Sequence, residues 1–313
     1  VEACKRRSAE ESAETQKKPH IIVSPIEHHC VLDTAKHLEK LGVEVSFLPV
    51  DKYGLVNPAD VAAAIKENTV LVSVMYVNNE VGTVEPIAEI SKTISNQQST
   101  INNKIYFHTD AVQAIQYLPC DVQKLGVDFL SLSAHKFHGP KGVGALYVRE
   151  GAPLVRQMDG GGQEKGRRAG THNVAGIVGL GEGIVQSSKF KVQSSKNLRD
   201  LLINGALKIP GVQLTGHPEK RAPHIASFFV EGVEGEAMVL LLNEDGIAAS
   251  SGSACTSEVL EPSHVLTAMG IPPELSHGSL RLSLSKYTTE EEIDYTLKVL
   301  PKVIEHLRKM APK

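Results

Sequence analysis

The sequence predicts an α/β fold with a mostly parallel sheet, followed by a smaller α+β domain. Short β-rich runs alternate with helical patterns in the first two thirds of the chain, as in VEVSFLPV (43–50) and TVLVSVMY (69–76). The second run is nearly continuous in apolar residues, which is typical of a strand covered on both faces. After about residue 190 the strands become shorter. We therefore expect a large domain over residues 1–192 and a small C-terminal domain over residues 193–313.

Helix ends and further strands complete the predicted large domain. VLDTAKHLEKLG (31–42) has helical apolar spacing and stops at Gly42, and NPADVAAAIKEN (57–68) begins with an Asn N-cap and a Pro at the first helical position. Three more strands are predicted, and they are KIYFHTD (104–110), VDFLSLSA (127–134) and VGALYV (143–148).

The small domain is predicted from one helix, two strands and a terminal helix. KNLRDLLINGAL (196–207) has the helical pattern, while IASFFV (225–230) and SLRLSLS (279–285) indicate strands. A final helix starts near TTEEEIDYTL, and we expect Pro301 to bend or break it because proline lacks an N–H group.

Composition excludes several classes of partner. The net charge of −3 gives no basic face for nucleic acid and no polybasic membrane anchor. No apolar run approaches the roughly 20 residues of a transmembrane helix. Cys4, Cys30, Cys120 and Cys255 are scattered without a CxxC pair, so no zinc site or disulfide framework is predicted. A reducing, cytoplasmic location fits this pattern, and an organellar form stays open.

Polar residues end or follow four extended runs, which are HIIVSPIEHHC (20–30) and the predicted strands 69–76, 104–110 and 127–134. The polar residues are Glu27, His28, His29, Asn78, Asn79, His108, Asp110, Gln113, Ser133, His135 and Lys136. Ligands bind at the carboxyl ends of strands in open α/β sheets, so this pattern predicts a site. We expect Lys136 to be a buried amine, because it comes at the end of an apolar run.

A lysine and an aspartate at adjacent strand ends suit pyridoxal phosphate. This cofactor needs a lysine for its Schiff base and an acid that keeps its ring nitrogen protonated. Taken alone, Lys136 could be structural and Asp110 could be a helix N-cap. His28 and His29 could bind a metal, but neighbouring residues of an extended chain point apart and no third ligand has suitable spacing, so no metal site is predicted.

Four motifs carry a resemblance to a known family. They are FHTDAVQ, the 26-residue step from Asp110 to Lys136 in SLSAHKFHGPKG, GGGQEKGRRAGTHN and SSGSACTS. Together, and in this order, they resemble the cysteine desulfurases of the class-V aminotransferase group, which are fold-type-I pyridoxal-phosphate enzymes. The SSGSACTS motif is similar to that of the first of the two desulfurase groups.

The resemblance implies how the cofactor would be bound. Lys136 matches the lysine of the Schiff base, and Asp110 matches the partner of the ring nitrogen. Gln113 and Asn79 match residues near the phenolic oxygen, and Asn79 also lies near the substrate in the family. His28 matches the histidine that stacks on the ring and takes part in proton transfer.

The resemblance also implies phosphate, substrate and sulfur sites. Ser133 and His135 match ligands of the cofactor phosphate, whereas Thr171 matches a residue that reaches the phosphate of a neighbouring subunit, so a homodimer is implied. Arg281 matches the arginine that binds the substrate carboxylate. Cys255 matches the nucleophile that takes sulfur from the substrate as a persulfide.

The implied activity is conversion of L-cysteine to L-alanine, with transfer of the Cys255 persulfide to a sulfur-acceptor or iron–sulfur scaffold protein. Two alternatives stay open, namely a selenocysteine lyase or another class-V enzyme, and a non-catalytic scaffold. The scaffold stays open because family members carry an earlier segment with a phosphate-binding Gly-Thr loop, and residues 1–19 do not resemble it. The chain is therefore expected to be part of a longer protein or a shortened form.

Overall fold

The computed structural model describes residues 18–101, 103–190, 192–252 and 262–310. The described residues form two compact units. The first unit takes its residues from Val1–Pro49, Val56–Tyr76 and Pro86–Lys189, and the second from Val50–Leu55, Val77–Glu85 and Phe190–Lys313. Two short segments of the first half of the chain thus belong to the second unit. The domain boundary between residues 192 and 193 stays a prediction.

The first unit contains a six-stranded sheet of order β2-β1-β3-β4-β5-β6. Its strands are β1 (His20–Val23), β2 (Glu44–Phe47), β3 (Thr69–Ser73), β4 (Tyr106–Asp110), β5 (Phe129–Ser133) and β6 (Gly144–Val148). Strands β1 to β5 are parallel to one another, and β6 is antiparallel to β5. The predicted α/β class with a mostly parallel sheet is confirmed.

Helices connect these strands. They are α1 (His29–Lys40), α2 (Pro58–Ala64), α3 (Ile87–Gln98), α4 (Val122–Leu125) and α5 (Val174–Ser188), and a two-stranded ribbon of β7 (Gly162–Gln163) and β8 (Arg168–Ala169) precedes α5. The predicted N-cap of α2 is confirmed, because Asn57 Oδ1 accepts a hydrogen bond of 3.0 Å from the Ala59 amide. Helix α1 starts two residues earlier than its apolar pattern predicts, because His28 caps it.

Burial of β1 against α1 shows why these runs form strands. All four residues of β1 are buried, and Ile21 and Val23 pack with Leu32 and Ala35 of α1. Burial of each large aliphatic side chain contributes roughly 1.5–3 kcal/mol. The strand ends are thereby fixed, and the polar residues that follow them gather at one edge of the sheet.

The second unit contains a three-stranded antiparallel sheet of order β11-β10-β9. Its strands are β9 (Val212–Leu214), β10 (Ile225–Val230) and β11 (Ser279–Ser283). Its helices are α6 (Val192–Ala206), α7 (Gly235–Glu244), α8 (His264–Ala268), α9 (Pro273–Ser276) and α10 (Glu290–Met310). Among the described residues, none of the helices has both the length and the apolar character needed to cross a membrane.

Helix α10 continues through Pro301, so a break there is wrong, and the alternative of a bend stays a prediction. Leu300 and Ile304, on either side of Pro301, are almost fully buried in the core of the second unit. Packing of this apolar face outweighs the loss of one backbone hydrogen bond at proline.

Candidate active site

Asp110 occupies the carboxyl end of β4 and is 9% exposed. Its Oδ1 accepts a hydrogen bond of 2.8 Å from the Val112 amide, which fixes the carboxylate at the start of the turn after the strand. Burial raises the pKa of Asp110, and the hydrogen bond from Val112 and the charges of His28 and Lys136 oppose this rise. The charges of His28 and Lys136 thus act on the Asp110 carboxylate, so the three residues lie within electrostatic range of one another.

Lys136 lies on a single 3-10 turn, Ala134–Phe137, directly after β5. The turn buries Ala134 and Phe137, so Lys136 and His135 project from the opposite side and are exposed. The expectation of a buried amine is therefore wrong, because the apolar run ends one turn before the lysine. Gly139 closes this turn, and a Cβ there would lie 2.9 Å from the Ala134 side chain.

Ser133 and His135 form a hydroxyl–imidazole pair beside Lys136. Ser133 Oγ lies 2.8 Å from His135 Nδ1. Burial and the charges of Lys136 and Lys141 lower the pKa of His135, in that order of importance. A neutral imidazole and a hydroxyl at an exposed turn can both donate hydrogen bonds to an anion.

His28 lies in the connection between β1 and α1, where its own side chain and that of Glu27 hold the backbone in place. Its Nδ1 accepts a hydrogen bond of 3.2 Å from the Cys30 amide and so caps α1. Glu27, directly before it, is fully buried and accepts a hydrogen bond from the Met75 amide, just beyond β3. Glu27 therefore ties the connection that carries His28 to the neighbouring strand.

Other predicted residues of the first unit lie on loops and turns. Gln113 is partly buried in the turn after β4, and Thr171 is exposed between β8 and α5. The roles of both residues toward a cofactor stay predictions, as do those of Ser133 and His135.

The second unit carries Asn79 and Arg281. The Arg281 Nη1 donates a hydrogen bond of 2.7 Å to the Asn79 main-chain oxygen, so the structure brings these two residues together. Arg281 lies in the middle of β11. The predicted nucleophile, Cys255, lies in 253–261, outside the described residues.

Sequence reasoning missed Glu80, which follows Asn79 directly. Glu80 is 7% exposed, and its Oε2 accepts a hydrogen bond of 2.5 Å from Ser263 Oγ. The sequence contains one signal for Glu80, which is that an acidic residue follows Asn78 and Asn79 directly after a predicted strand end. Such a residue is ordinarily expected on a solvent-exposed turn. Its partner Ser263 is 183 residues away and has no such signal.

A second histidine of the first unit, His108, lies near Asp110. It lies on β4 two residues before Asp110, and its ring nitrogens lie 2.8 Å from Ser73 Oγ and 2.9 Å from Ser131 Oγ. Burial lowers the pKa of His108 to about 4. These contacts indicate that His108 is a structural histidine.

We expect His108 to make the protein sensitive to acid. Because its pKa is lower in the folded chain than in the unfolded chain, its stabilisation is present above pH 6.5 and is lost as pH falls toward 4. Between pH 7 and pH 5 this loss amounts to about 1–2 kcal/mol in the free energy of unfolding. Urea titrations of the wild type and His108→Gln would measure it, and an identical pH dependence in the variant would contradict it.

Comparison with known proteins identifies the family. The class-V aminotransferase family matches residues 6–296, and the chain therefore belongs to this family. Two relatives named cysteine desulfurase IscS come from Methanosarcina thermophila and Dictyoglomus turgidum. The first is 52% identical, with 96% of this chain and 74% of that protein covered. The second is 48% identical, with 95% and 75% covered.

Solved structures agree with this assignment. A structure named NifS-like protein superposes with a TM-score of 0.85 at 36% identity and covers 97% of this chain and 79% of its own. A second, titled SspA in complex with cysteine, has a TM-score of 0.74 at 35% identity and covers 88% and 76%.

The family depends on pyridoxal phosphate, and the first unit fits that group. The buried carboxylate of Asp110 has a raised pKa, so a cationic ring nitrogen beside it would relieve an unfavourable charge. Lys136 supplies an amine one turn beyond the adjacent strand, and Ser133 and His135 supply donors for a phosphate. These residues therefore offer a partner for the ring nitrogen, for the aldehyde and for the phosphate of the cofactor.

Proposed function

We propose that this chain is a pyridoxal-phosphate-dependent cysteine desulfurase. The observation that carries the proposal is the electrostatic grouping of Asp110, His28 and Lys136 at the carboxyl ends of β1, β4 and β5, in a chain about half identical to proteins named cysteine desulfurase. The substrate is L-cysteine, and the products are L-alanine and a persulfide.

The residues of the first unit bind the cofactor and control its proton transfers. When bound, pyridoxal phosphate supplies an electron sink for the carbanion that forms beside the substrate amino group. Asp110 would hold the ring nitrogen protonated by its negative charge, and Lys136 Nζ would bind the cofactor and carry a proton from the substrate Cα. Ser133 and His135 would bind the phosphate. His28 would pack on the ring, and Gln113 would bond its phenolic oxygen.

The second unit supplies the substrate and sulfur sites. Arg281 binds the substrate carboxylate, since a guanidinium can donate two parallel hydrogen bonds to it. Its hydrogen bond to the Asn79 main chain fixes one end of the guanidinium. The Cys255 thiolate attacks the substrate sulfur. The carbon–sulfur bond breaks, its electron pair stays with the carbon, a proton joins that carbon to give alanine, and the sulfur remains on Cys255 as a persulfide.

A second copy of this chain and a sulfur acceptor complete the proposal. Met158, Val174 and Val178 are each 65% exposed, and Ile177 is 44% exposed, although all four are apolar. An apolar surface of this kind, close in sequence to Thr171, favours a homodimer in which Thr171 reaches the partner's cofactor phosphate. The acceptor of the persulfide sulfur is an iron–sulfur scaffold or another sulfur-carrying protein. A reducing, cytoplasmic compartment suits a reactive thiol.

Absorption spectroscopy tests the proposed function. The chain incubated with pyridoxal phosphate is expected to acquire a visible absorption band, which changes when L-cysteine is added. Alanine should be released, and the mass of the Cys255 peptide should increase by one sulfur atom, about 32 Da. Selenocysteine and a keto acid serve as comparison substrates. Bound cofactor with release of selenide alone, or of a keto acid, would contradict the desulfurase assignment.

A further inference from the structure

Glu80 is a buried acid to which the mechanism above gives no role. Its carboxylate accepts the Ser263 hydrogen bond, and Arg281 acts on it as an opposite charge. Burial raises the pKa of Glu80 to about 7, and the Ser263 hydrogen bond and Arg281 oppose that rise. Ionisation of a carboxyl group in such a position costs free energy unless hydrogen-bond donors or opposite charges are paired with it.

The turn that carries Glu80 is rigid. Asn78 Oδ1 accepts hydrogen bonds of 2.9 Å from the amides of both Glu80 and Val81. The Gly82 amide donates to the Asn78 main-chain oxygen at 3.0 Å, with Gly82 at φ 78°, a conformation that favours glycine. The Asn79 oxygen that holds Arg281 and the Glu80 carboxylate therefore belong to one fixed turn.

The same carboxylate lies beside the chain on both sides of segment 253–261. A Cβ on Gly252 would lie 3.3 Å from Glu80 Oε2, and the Gly252 amide donates to Ser279 Oγ at 3.0 Å. On the other side, Ser263 accepts hydrogen bonds from the Val265 and Leu266 amides and caps α8. The Glu80 carboxylate thus lies close to Gly252, the last described residue before this segment, and accepts a hydrogen bond from Ser263, two residues after it.

Arg281 belongs to the same arrangement. Its main chain pairs with Ser250, through hydrogen bonds of 2.7 Å and 3.1 Å. The strand that presents the substrate-binding guanidinium is thereby coupled to the chain that leads into Gly252.

We infer that Glu80 is a positioning residue for sulfur transfer, which sets the ends of the Cys255 segment, at Gly252 and Ser263, relative to Arg281. This inference rests on the proposed function. The carboxylate acts through Ser263, whose hydroxyl it holds as a donor, and through the charge of Arg281. An uncharged side chain of the same shape would keep the packing, would offer Ser263 only a weaker, neutral acceptor, and would lose the charge that acts on Arg281.

Glu80→Gln and Ser263→Ala test this inference, with Ser263→Thr as the variant that retains the hydroxyl. Glu219→Gln is the matched control, because Glu219 is an exposed acid of the same unit. The first measurement is hydrogen exchange of the cofactor-free protein. We expect exchange at the Gly252, Val265 and Leu266 amides to be several-fold faster in Glu80→Gln and unchanged in the control.

The second measurement is single-turnover persulfide formation on Cys255. Glu80→Gln is expected to bind the cofactor with the wild-type spectrum and to form persulfide at least about tenfold more slowly at pH 8. It is also expected to lack the rise in rate near pH 7 that ionisation of Glu80 is expected to give the wild type. Ser263→Ala is expected to slow persulfide formation, and Ser263→Thr is expected to form persulfide at the wild-type rate. If Glu80→Gln does not fold, this pair of variants tests the inference.

The outcomes separate this inference from the proposed function. A wild type that forms persulfide, with Glu80→Gln equal to it in rate and pH profile, would overturn the role of Glu80 alone. Faster exchange with an unchanged rate would show that Glu80 is only structural. A wild type that binds the cofactor yet forms no alanine or persulfide from cysteine would overturn both.

Discussion

Replacement of Lys136 by alanine is expected to abolish covalent attachment of the cofactor and to lower the rate of alanine formation by at least about 10³-fold. Lys136 is an exposed amine on the turn after β5, and its charge acts on the buried Asp110 carboxylate. No other group in the described part of this turn, Ala134–Phe137, can form a Schiff base. The variant loses both the covalent bond and the proton carrier.

Borohydride reduction followed by peptide mass analysis measures the attachment without relying on activity. The wild type is expected to carry the reduced cofactor on Lys136, and Lys136→Ala to carry none at this peptide. Lys141→Ala is the matched control, since Lys141 is also exposed and only five residues later. Equal labelling of the Lys136→Ala protein at another lysine, with wild-type activity, would contradict the role of Lys136.

Much of the fold could be predicted because the central strands of the sheet are largely buried, β1 completely. The apolar runs of β1, β3 and β5 stand out against helical periodicity, and their order fixes a parallel sheet. Since the carboxyl ends of such strands share an edge, Asp110 and Lys136 could be placed together without knowing any distance. The grouping of His28 with them followed from the same argument.

Effects that depend on long-range packing could not be predicted. Pro301 disrupts an isolated helix, but α10 is held by the core of the second unit. Residues 77–85 begin four residues after the end of β3, yet they join the second unit, where Arg221 donates a hydrogen bond of 2.7 Å to the Val81 main-chain oxygen. The Glu80–Ser263 contact spans 183 residues, and a local pattern contains no information about it.

Replacement of Asp110 by asparagine is expected to lower the rate of alanine formation by at least about 10²-fold while leaving the protein folded. Asparagine is nearly isosteric and can still accept the Val112 hydrogen bond through its side-chain oxygen. It cannot carry the negative charge that keeps a ring nitrogen protonated. The absorption of the bound cofactor, recorded as a function of pH, should therefore differ between the variant and the wild type.

Asp121→Asn is the matched control for this substitution. Asp121 Oδ1 accepts a hydrogen bond of 2.9 Å from the amide two residues later, as Asp110 does, but Asp121 is exposed and caps α4. Asparagine is an equally good N-cap, so this variant should keep both stability and activity. A comparable loss of rate in Asp121→Asn would mean that the effect comes from the turn rather than from the charge at the site.

Stability distinguishes a catalytic Asp110 from a structural one. Burial raises the pKa of Asp110 in the folded chain above the ordinary Asp value of about 3.9. The folded state therefore binds more protons than the unfolded state in the pH range above that value. As pH rises, ionisation of Asp110 thus destabilises the cofactor-free protein. Asp110→Asn removes this cost, so its free energy of unfolding at pH 7 should equal or exceed that of the wild type. A less stable and less active variant would indicate a structural role. A more stable but inactive variant would indicate that the carboxylate is retained for the charge it presents to the cofactor.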